Sequence, residues 1–353
     1  MTVELSSHDL APIARGRTAA DSLSASVSLA REAERLGYKR VWYAEHHNMA
    51  SIASSATSVV IAHVAAHTGA IRLGAGGVML PNHSPLVIAE QFGTLAELHP
   101  GRIDLGLGRA PGSDQNTMRA LRRDPSSAMS FPDDVRELQG YLRGESLVPG
   151  VDAVPGKGSD VPLYILGSSM FGAKLAAAFG RPYAFASHFS PGLLDQAIAA
   201  YRHEFQPSET LQRPYVIAGV NVLAADTMDE AQEQLTSIRR QRAISLYGRH
   251  PGVDQNGVTD EQADQLLAAG LGTHVDEMLT FTATGSPADV RTYLTEFAQR
   301  AGADELITAH HAPDIDARLH SVELTAAAME LSPAEPVDTA AAGALATARL
   351  RTD

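Results

Sequence analysis

Glu45, His46 and His47 stand side by side at the end of the run VWYA, so a stretch that reads as buried strand finishes in three titratable side chains. An imidazole exchanges protons close to neutral pH, and a neighbouring carboxylate can orient it, which makes this the first candidate for acid–base chemistry. Successive side chains of a strand point to opposite faces, so only one of the two histidines can face a given pocket, and the two cannot share a metal ion. His310 and His311, after ITA, meet the same objection. His63 and His67 have the i, i+4 spacing of a zinc pair, but no HExxH glutamate lies between them. They read as surface or interhelical histidines, and no metal site is assigned.

A second set of residues suits an anion. Gly167, Ser168 and Ser169 follow the run YIL and lead into a helical stretch at Met170. Free backbone N–H groups and hydroxyls at the positive end of a helix dipole bind phosphate, and Arg109, after LGLG, can add a bidentate contact. The plainer reading is that Ser169 only caps the helix. Gly76 and Gly77, in IRLGAGGVML, place bare backbone at a third strand end. Other cofactor chemistry finds less support. GLGRAPG misses the GxGxxG spacing, and no acidic residue follows about twenty residues on at a strand end. The three lysines, Lys39, Lys157 and Lys174, include no clear strand-end candidate for a Schiff base.

Each of these groups falls where an apolar run gives way to a loop, so the elements around them must bring the strand ends together. Strand-like runs occupy 3–7, 39–44, 71–80, 102–108, 161–167, 182–187, 215–225 and 303–310. Helical periodicity fills 18–37, 54–69, 85–101, 169–180, 192–205, 286–302 and 316–331, and at least eight helices are expected in all. Repeated βα units within one chain predict an α/β fold, a (β/α)8 TIM barrel, whose chemistry sits at the C-terminal ends of the strands. Residues 109–160 and 247–285 interrupt the repeat and read as insertion loops on that face.

Composition narrows the ligands. With 353 residues, 44% of them hydrophobic, one barrel domain is expected over 1–331, followed by a disordered tail at 332–353. A net charge of −13 without a Lys/Arg cluster argues against nucleic acid or an anionic membrane as partner. The absence of cysteine excludes disulfides and thiol chemistry. No secretory signal pattern opens the chain, and no apolar run approaches the roughly 20 residues that span a bilayer. The expectation is a soluble cytoplasmic protein acting on small molecules.

In order along the chain, EHHN, LGAGGVMLPNHSP, GRIDLGLGRAPG, YILGSS and TATGSPADV resemble segments of the bacterial luciferase-like flavin-dependent monooxygenases. The resemblance implies a barrel that binds reduced FMN from a separate flavin reductase, activates dioxygen at the flavin C4a carbon and oxygenates an aldehyde or other small organic substrate. It implies that His46 is the active-site base and that Gly76 and Gly77 form a cis peptide under the isoalloxazine. Arg109, Gly167, Ser168, Ser169 and Met170 would hold the FMN phosphate, and a homodimer is expected. Gly108 stands where bacterial luciferase has a cysteine, so no thiol acts on the flavin and the resemblance carries no expectation of light emission. Two readings stay open beside it: an F420-dependent hydride-transfer enzyme of the same fold, and a non-catalytic flavin-binding partner subunit, against which His46 speaks.

Overall fold

Capping signals delimit the first helix. Thr18 accepts from the Asp21 N–H while the Asp21 carboxylate accepts from the Thr18 N–H, and Gly37 closes the other end in the left-handed region at φ 88°. The helix between them, α1 (Ala19–Leu36), lies between β1 (Glu4–Asp9) and β2 (Arg40–Tyr43) in chain order. The computed structural model describes residues 3–110, 114–248, 257–312 and 314–332. Its further elements are α2 (Thr57–Ala65), β3 (Arg72–Met79), α3 (Pro85–Leu98), β4 (Ile103–Gly108), α4 (Gln115–Ala120), α5 (Phe131–Arg143), β5 (Leu163–Gly167), α6 (Met170–Ala178), β6 (Tyr183–Phe185) and α7 (Leu194–Glu204). They are followed by β7 (Val216–Ala224), α8 (Met228–Tyr247), α9 (Asp260–Leu266), α10 (Gly272–Met278), β8 (Thr282–Gly285), α11 (Pro287–Ala301), β9 (Glu305–His310) and α12 (Ile315–Ala328).

Strands β1 to β7 pair in sequence, all parallel, and β9 closes the ring by pairing with both β7 and β1. The result is the expected eight-stranded (β/α)8 barrel. The strands are buried on both faces, as helix-covered parallel strands must be: β7 is buried at every position from Val216 to Ala224. One strand was not foreseen. Thr282–Gly285 lies in the stretch read as insertion, yet it pairs with the C-terminal half of β7 outside the ring, Asn221 opposite Thr282 and Ala224 opposite Gly285. The first insertion carries α4 and α5, and the second carries α9 and α10. The tail falls outside the described residues from 333 onward. Among the described residues, no helix is long and apolar enough to cross a membrane.

Two ends of the barrel have opposite characters. At the N-terminal ends of the strands the interior holds a buried ionic network. Arg40 donates to Asp104 at 2.7 Å, to the Tyr164 hydroxyl at 2.6 Å and to Glu305 at 3.1 Å. Arg72 shares Asp104 at 2.5 Å, while Tyr215, at 2.7 Å, and Ser6 share Glu305. Every charge therefore has several partners, which a buried ion pair requires. At the other end the sheet is irregular. The β3–β4 register shifts between Ala75 and Val78, and the two residues between them, Gly76 and Gly77, are joined by a cis peptide bond.

Candidate active site

Arg109 and the start of α6 come together because β4 and β5 are neighbours, with Gly108 opposite Leu166. The Arg109 guanidinium lies 4.0 Å above the ring of Phe171, the second residue of α6. Ser169 is extended at the N-cap position (φ −133°, ψ 158°), yet its hydroxyl makes no capping hydrogen bond. The plain capping role is thus not filled, and the first N–H groups of α6 keep the positive end of the dipole for another acceptor. Ser168, Ser169 and Met170 are half-buried around it. A Cβ on Gly167 would enter open space, and one on Gly108 would meet nothing nearer than Val78 O at 3.8 Å. These two strand ends leave room beside the cation and the helix N-terminus.

Gly76 and Gly77 form the next part of the same rim, and packing dictates both. A Cβ on Gly77 would stand 2.7 Å from Gly106 O, and one on Gly76 would stand 2.8 Å from the Trp42 Cβ. Neither position admits a side chain, so backbone alone faces the mouth there.

Strand β2 ends at Tyr43, one residue short of the expected limit, because the Ala44 carbonyl is taken by Ser54 Oγ at 2.6 Å and Thr57 Oγ1 at 3.3 Å. Glu45, His46 and His47 therefore lie on a loop, and strand alternation does not decide their directions. The Glu45 carboxylate, 3% exposed, accepts from His47 Nε2 at 2.8 Å and His83 Nε2 at 2.7 Å on one oxygen, and from the Met79 N–H at 3.2 Å on the other. His46 is half-buried, its N–H donating to Ser54 O at 3.0 Å, and its charge would be felt by the buried ring of His188. The two histidines are thus divided: His47 is tied to the carboxylate, while His46 belongs to the interior group.

Glu45, His47 and His83 bring ligand atoms within 4.8 Å of one another, a spacing that can suit a metal ion. Two N–H groups on one carboxylate oxygen are instead a complete hydrogen-bonded node, and it ties the loop after β2 to the loop after β3. Burial pushes the Glu45 carboxyl up, but the bonds from His47 and His83 outweigh it and leave its pKa below the ordinary 4.5. His47 is raised above 6.5 by its bond to Glu45, against burial. A depressed carboxyl contributes stability above about 4.5 that is lost as pH falls through its folded pKa; a raised imidazole contributes below about 6.5 and loses it as pH rises. The free-energy difference between wild type and Glu45→Ala should therefore peak between those values, at about 1–3 kcal/mol, and shrink on either side. A difference flat from pH 3 to 9 in urea titrations would remove Glu45 from this role.

Further histidines line the interior. His8 Nε2 lies 2.9 Å from Gly76 O, and its ring is 5.1 Å from that of His188. His311 Nε2 is 2.9 Å from Asn221 Oδ1 and 3.3 Å from an Arg242 nitrogen. His310 turns the other way, to Ser321 at 2.9 Å and Thr308 at 3.1 Å, as expected of adjacent residues at a strand end. Burial pushes His8, His188, His310 and His311 all below the ordinary imidazole range, and Arg242 adds to this at His188 and His311. These rings are neutral near pH 7. His63 on α2 and His67 in the turn after it sit apart, with His67 Nδ1 2.7 Å from His63 O.

Sequence reasoning assigned no role to His8, His83, His188, Asn221 or Arg242. Only His83 carried a signal, through its place in PNHSP; the others are joined by contacts across the barrel.

A closed parallel barrel with helices between its strands is of the (β/α)8 class, and here an uncapped helix N-terminus, a bare glycine rim and several histidines lie at the C-terminal ends of its strands. The family follows from comparison: a model of the luciferase-like monooxygenases matches residues 5–305, and the chain belongs to that family. It is 48% identical over 324 residues to a luciferase-like monooxygenase of Escherichia coli K12, covering 92% of this chain and 96% of that one. It is 36% identical over 279 residues to the N-acetyl-S-alkylcysteine monooxygenase of Bacillus subtilis, covering 75% of this chain and 79% of that one. The crystal structure of apo-MsnO8, 36% identical, superposes with a TM-score of 0.82 over 94% of this chain and all (100%) of that one. More distant structures share the fold, including an FMN complex of the oxygenating component of 3,6-diketocamphane monooxygenase (18% identical, TM-score 0.67). An F420-dependent secondary alcohol dehydrogenase does too (16%, 0.69).

Proposed function

We propose that the protein is an FMN-dependent monooxygenase that consumes reduced FMN and dioxygen, places one oxygen atom in a small organic substrate and releases the other as water. The observation that carries this reading is the meeting of Arg109 with the uncapped N-terminus of α6, beside the open strand ends at Gly108 and Gly167. A guanidinium and free helical N–H groups suit the phosphate of a mononucleotide, and a glycine rim suits a flat ring. When bound, reduced FMN supplies the electrons that activate dioxygen. The chain's own residues bind the phosphate, present Gly76 and Gly77 to the ring, and hold a proton-accepting imidazole, His46, at the mouth. Phe189, 45% exposed and with its ring 5.2 Å from that of His188, offers apolar surface to the substrate.

The test separates cofactor from electron source. Apoprotein titrated with oxidised FMN, riboflavin and F420 should bind FMN tightest, and tighter binding of F420 would favour hydride transfer. Arg109→Ala should weaken FMN by about 1.5–3 kcal/mol, roughly tenfold to a hundredfold, and riboflavin far less. Equal losses would place the arginine away from the phosphate. Reduced FMN is expected from a separate flavin reductase, since the sequence has no dinucleotide fingerprint; steady NADH oxidation by the pure protein with FMN would contradict that. We further propose a cytoplasmic homodimer, in which the exposed Val59 on α2 and Val87 on α3 supply apolar contact surface.

A further inference from the structure

Inward-facing side chains of a (β/α)8 barrel form layers drawn from alternate strands, so a residue of β1 meets one of β3 across β2. In the layer nearest the mouth β3 contributes Gly76, which has no side chain, and the ring of His8 on β1 fills its place. A Cβ on Gly76 would stand 3.0 Å from His8 Cδ2. The ring also bonds the backbone it has replaced, with Nε2 2.9 Å from Gly76 O. A carbonyl only accepts, so Nε2 carries the proton and Nδ1 holds the lone pair. Nδ1 is buried and has no hydrogen-bond partner among the described residues, and His8 as a whole is 7% exposed. Burial and the charge of Arg318 keep the ring neutral, against the pull of Asp9 and of the carbonyl itself. Among the described residues the His8 ring therefore has one polar partner, Gly76 O.

Two consecutive glycines have more backbone freedom than any other pair, so their orientation must be fixed from outside. We propose that His8 is a positioning residue: by donating Nε2–H to Gly76 O it fixes the plane of the Gly76–Gly77 peptide and hence the backbone face that the flavin ring meets. This rests on the FMN reading above. The ring of His188, its centroid 5.1 Å away and tilted by 54°, packs against the His8 imidazole.

Two substitutions separate positioning from space-filling. His8→Leu keeps an apolar filling but has no donor, whereas His8→Gln carries an amide N–H at the distance of Nε2. His8→Leu should weaken oxidised FMN and riboflavin by the same factor, about twofold to tenfold for one lost hydrogen bond, and shift the visible absorption and circular dichroism of the bound flavin. His8→Gln should restore both. This differs from Arg109→Ala, which selects against FMN. Wild-type affinity and spectrum in His8→Leu would overturn the proposal, and so would equal disturbance in both variants, which would reduce His8 to packing. Wild-type protein that binds neither FMN nor riboflavin would overturn the FMN reading first and this proposal with it; binding by the wild type followed by an indifferent His8→Leu would overturn this proposal alone.

Discussion

His46→Ala should fold, bind FMN and oxygenate its substrate at least about a hundredfold more slowly than wild type. Removing a general base commonly costs 10² to 10⁴ in rate, and imidazole suits that task because its unperturbed pKa of about 6.5 lies near the working pH. The backbone supports the assignment: the His46 N–H is anchored on Ser54 O at 3.0 Å, which holds the residue at the mouth whatever its side chain. His47 makes the contrast. Its ring is bound to Glu45 at 2.8 Å, so His47→Ala should lower stability and loosen the loop more than it slows the chemical step. Added imidazole should partly rescue His46→Ala, since the vacated space admits it, and should not rescue His47→Ala. Near-normal turnover in His46→Ala with loss in His47→Ala would exchange the two roles. If neither variant slowed oxygenation, the non-catalytic flavin-binding reading would gain.

The barrel strands were legible because their signals are local. Apolar runs bounded by helices with Thr18, Gly37, Ser286 and Pro287 at their ends mark the repeat without reference to anything distant. Thr282–Gly285 was not legible as a strand: it is four residues long, sits in a polar insertion and owes its existence to the stretch of β7 beyond Ala218, where pairing with β6 has ended. The site divides in the same way. Arg109, Gly167 and Ser169 announce themselves by following apolar runs, and their meeting needs only the adjacency of β4 and β5. The Glu45 node draws on His83, 38 positions away, and the contact between His8 and Gly76 spans 68. Nothing in the composition of VELSSHDLAP distinguishes a histidine that bonds a distant carbonyl from one that faces water. Where β2 ends was equally hidden, since Ser54 and Thr57 decide it by taking the Ala44 carbonyl.

Arg40→Ala is expected to be the most destabilising single substitution considered, at about 3–5 kcal/mol, because it strands two buried carboxylates. The Arg40 side chain is 3% exposed and those of Asp104 and Glu305 are 0% exposed. Burial opposes the guanidinium's charge, but Glu305 and Asp104 more than compensate, so its pKa is raised and it stays ionised. After its removal Asp104 keeps Arg72 and the Trp42 N–H, at 2.5 and 3.2 Å. Glu305 keeps the Tyr215 hydroxyl at 2.7 Å, the Ser6 hydroxyl, and Lys39 at 3.5 Å. Neither retains full compensation, and the cavity left by the guanidinium adds to the cost. The network lies at the N-terminal ends of the strands, where barrels carry stability, and the proposed site lies at the other ends. Protein that still folds at low temperature should therefore bind FMN with near wild-type affinity while its urea midpoint falls sharply. An unfolding free energy within about 1 kcal/mol of wild type would mean that the remaining partners satisfy both carboxylates unaided. A collapse of FMN affinity in folded Arg40→Ala would mean that the two ends of the barrel are coupled through its core.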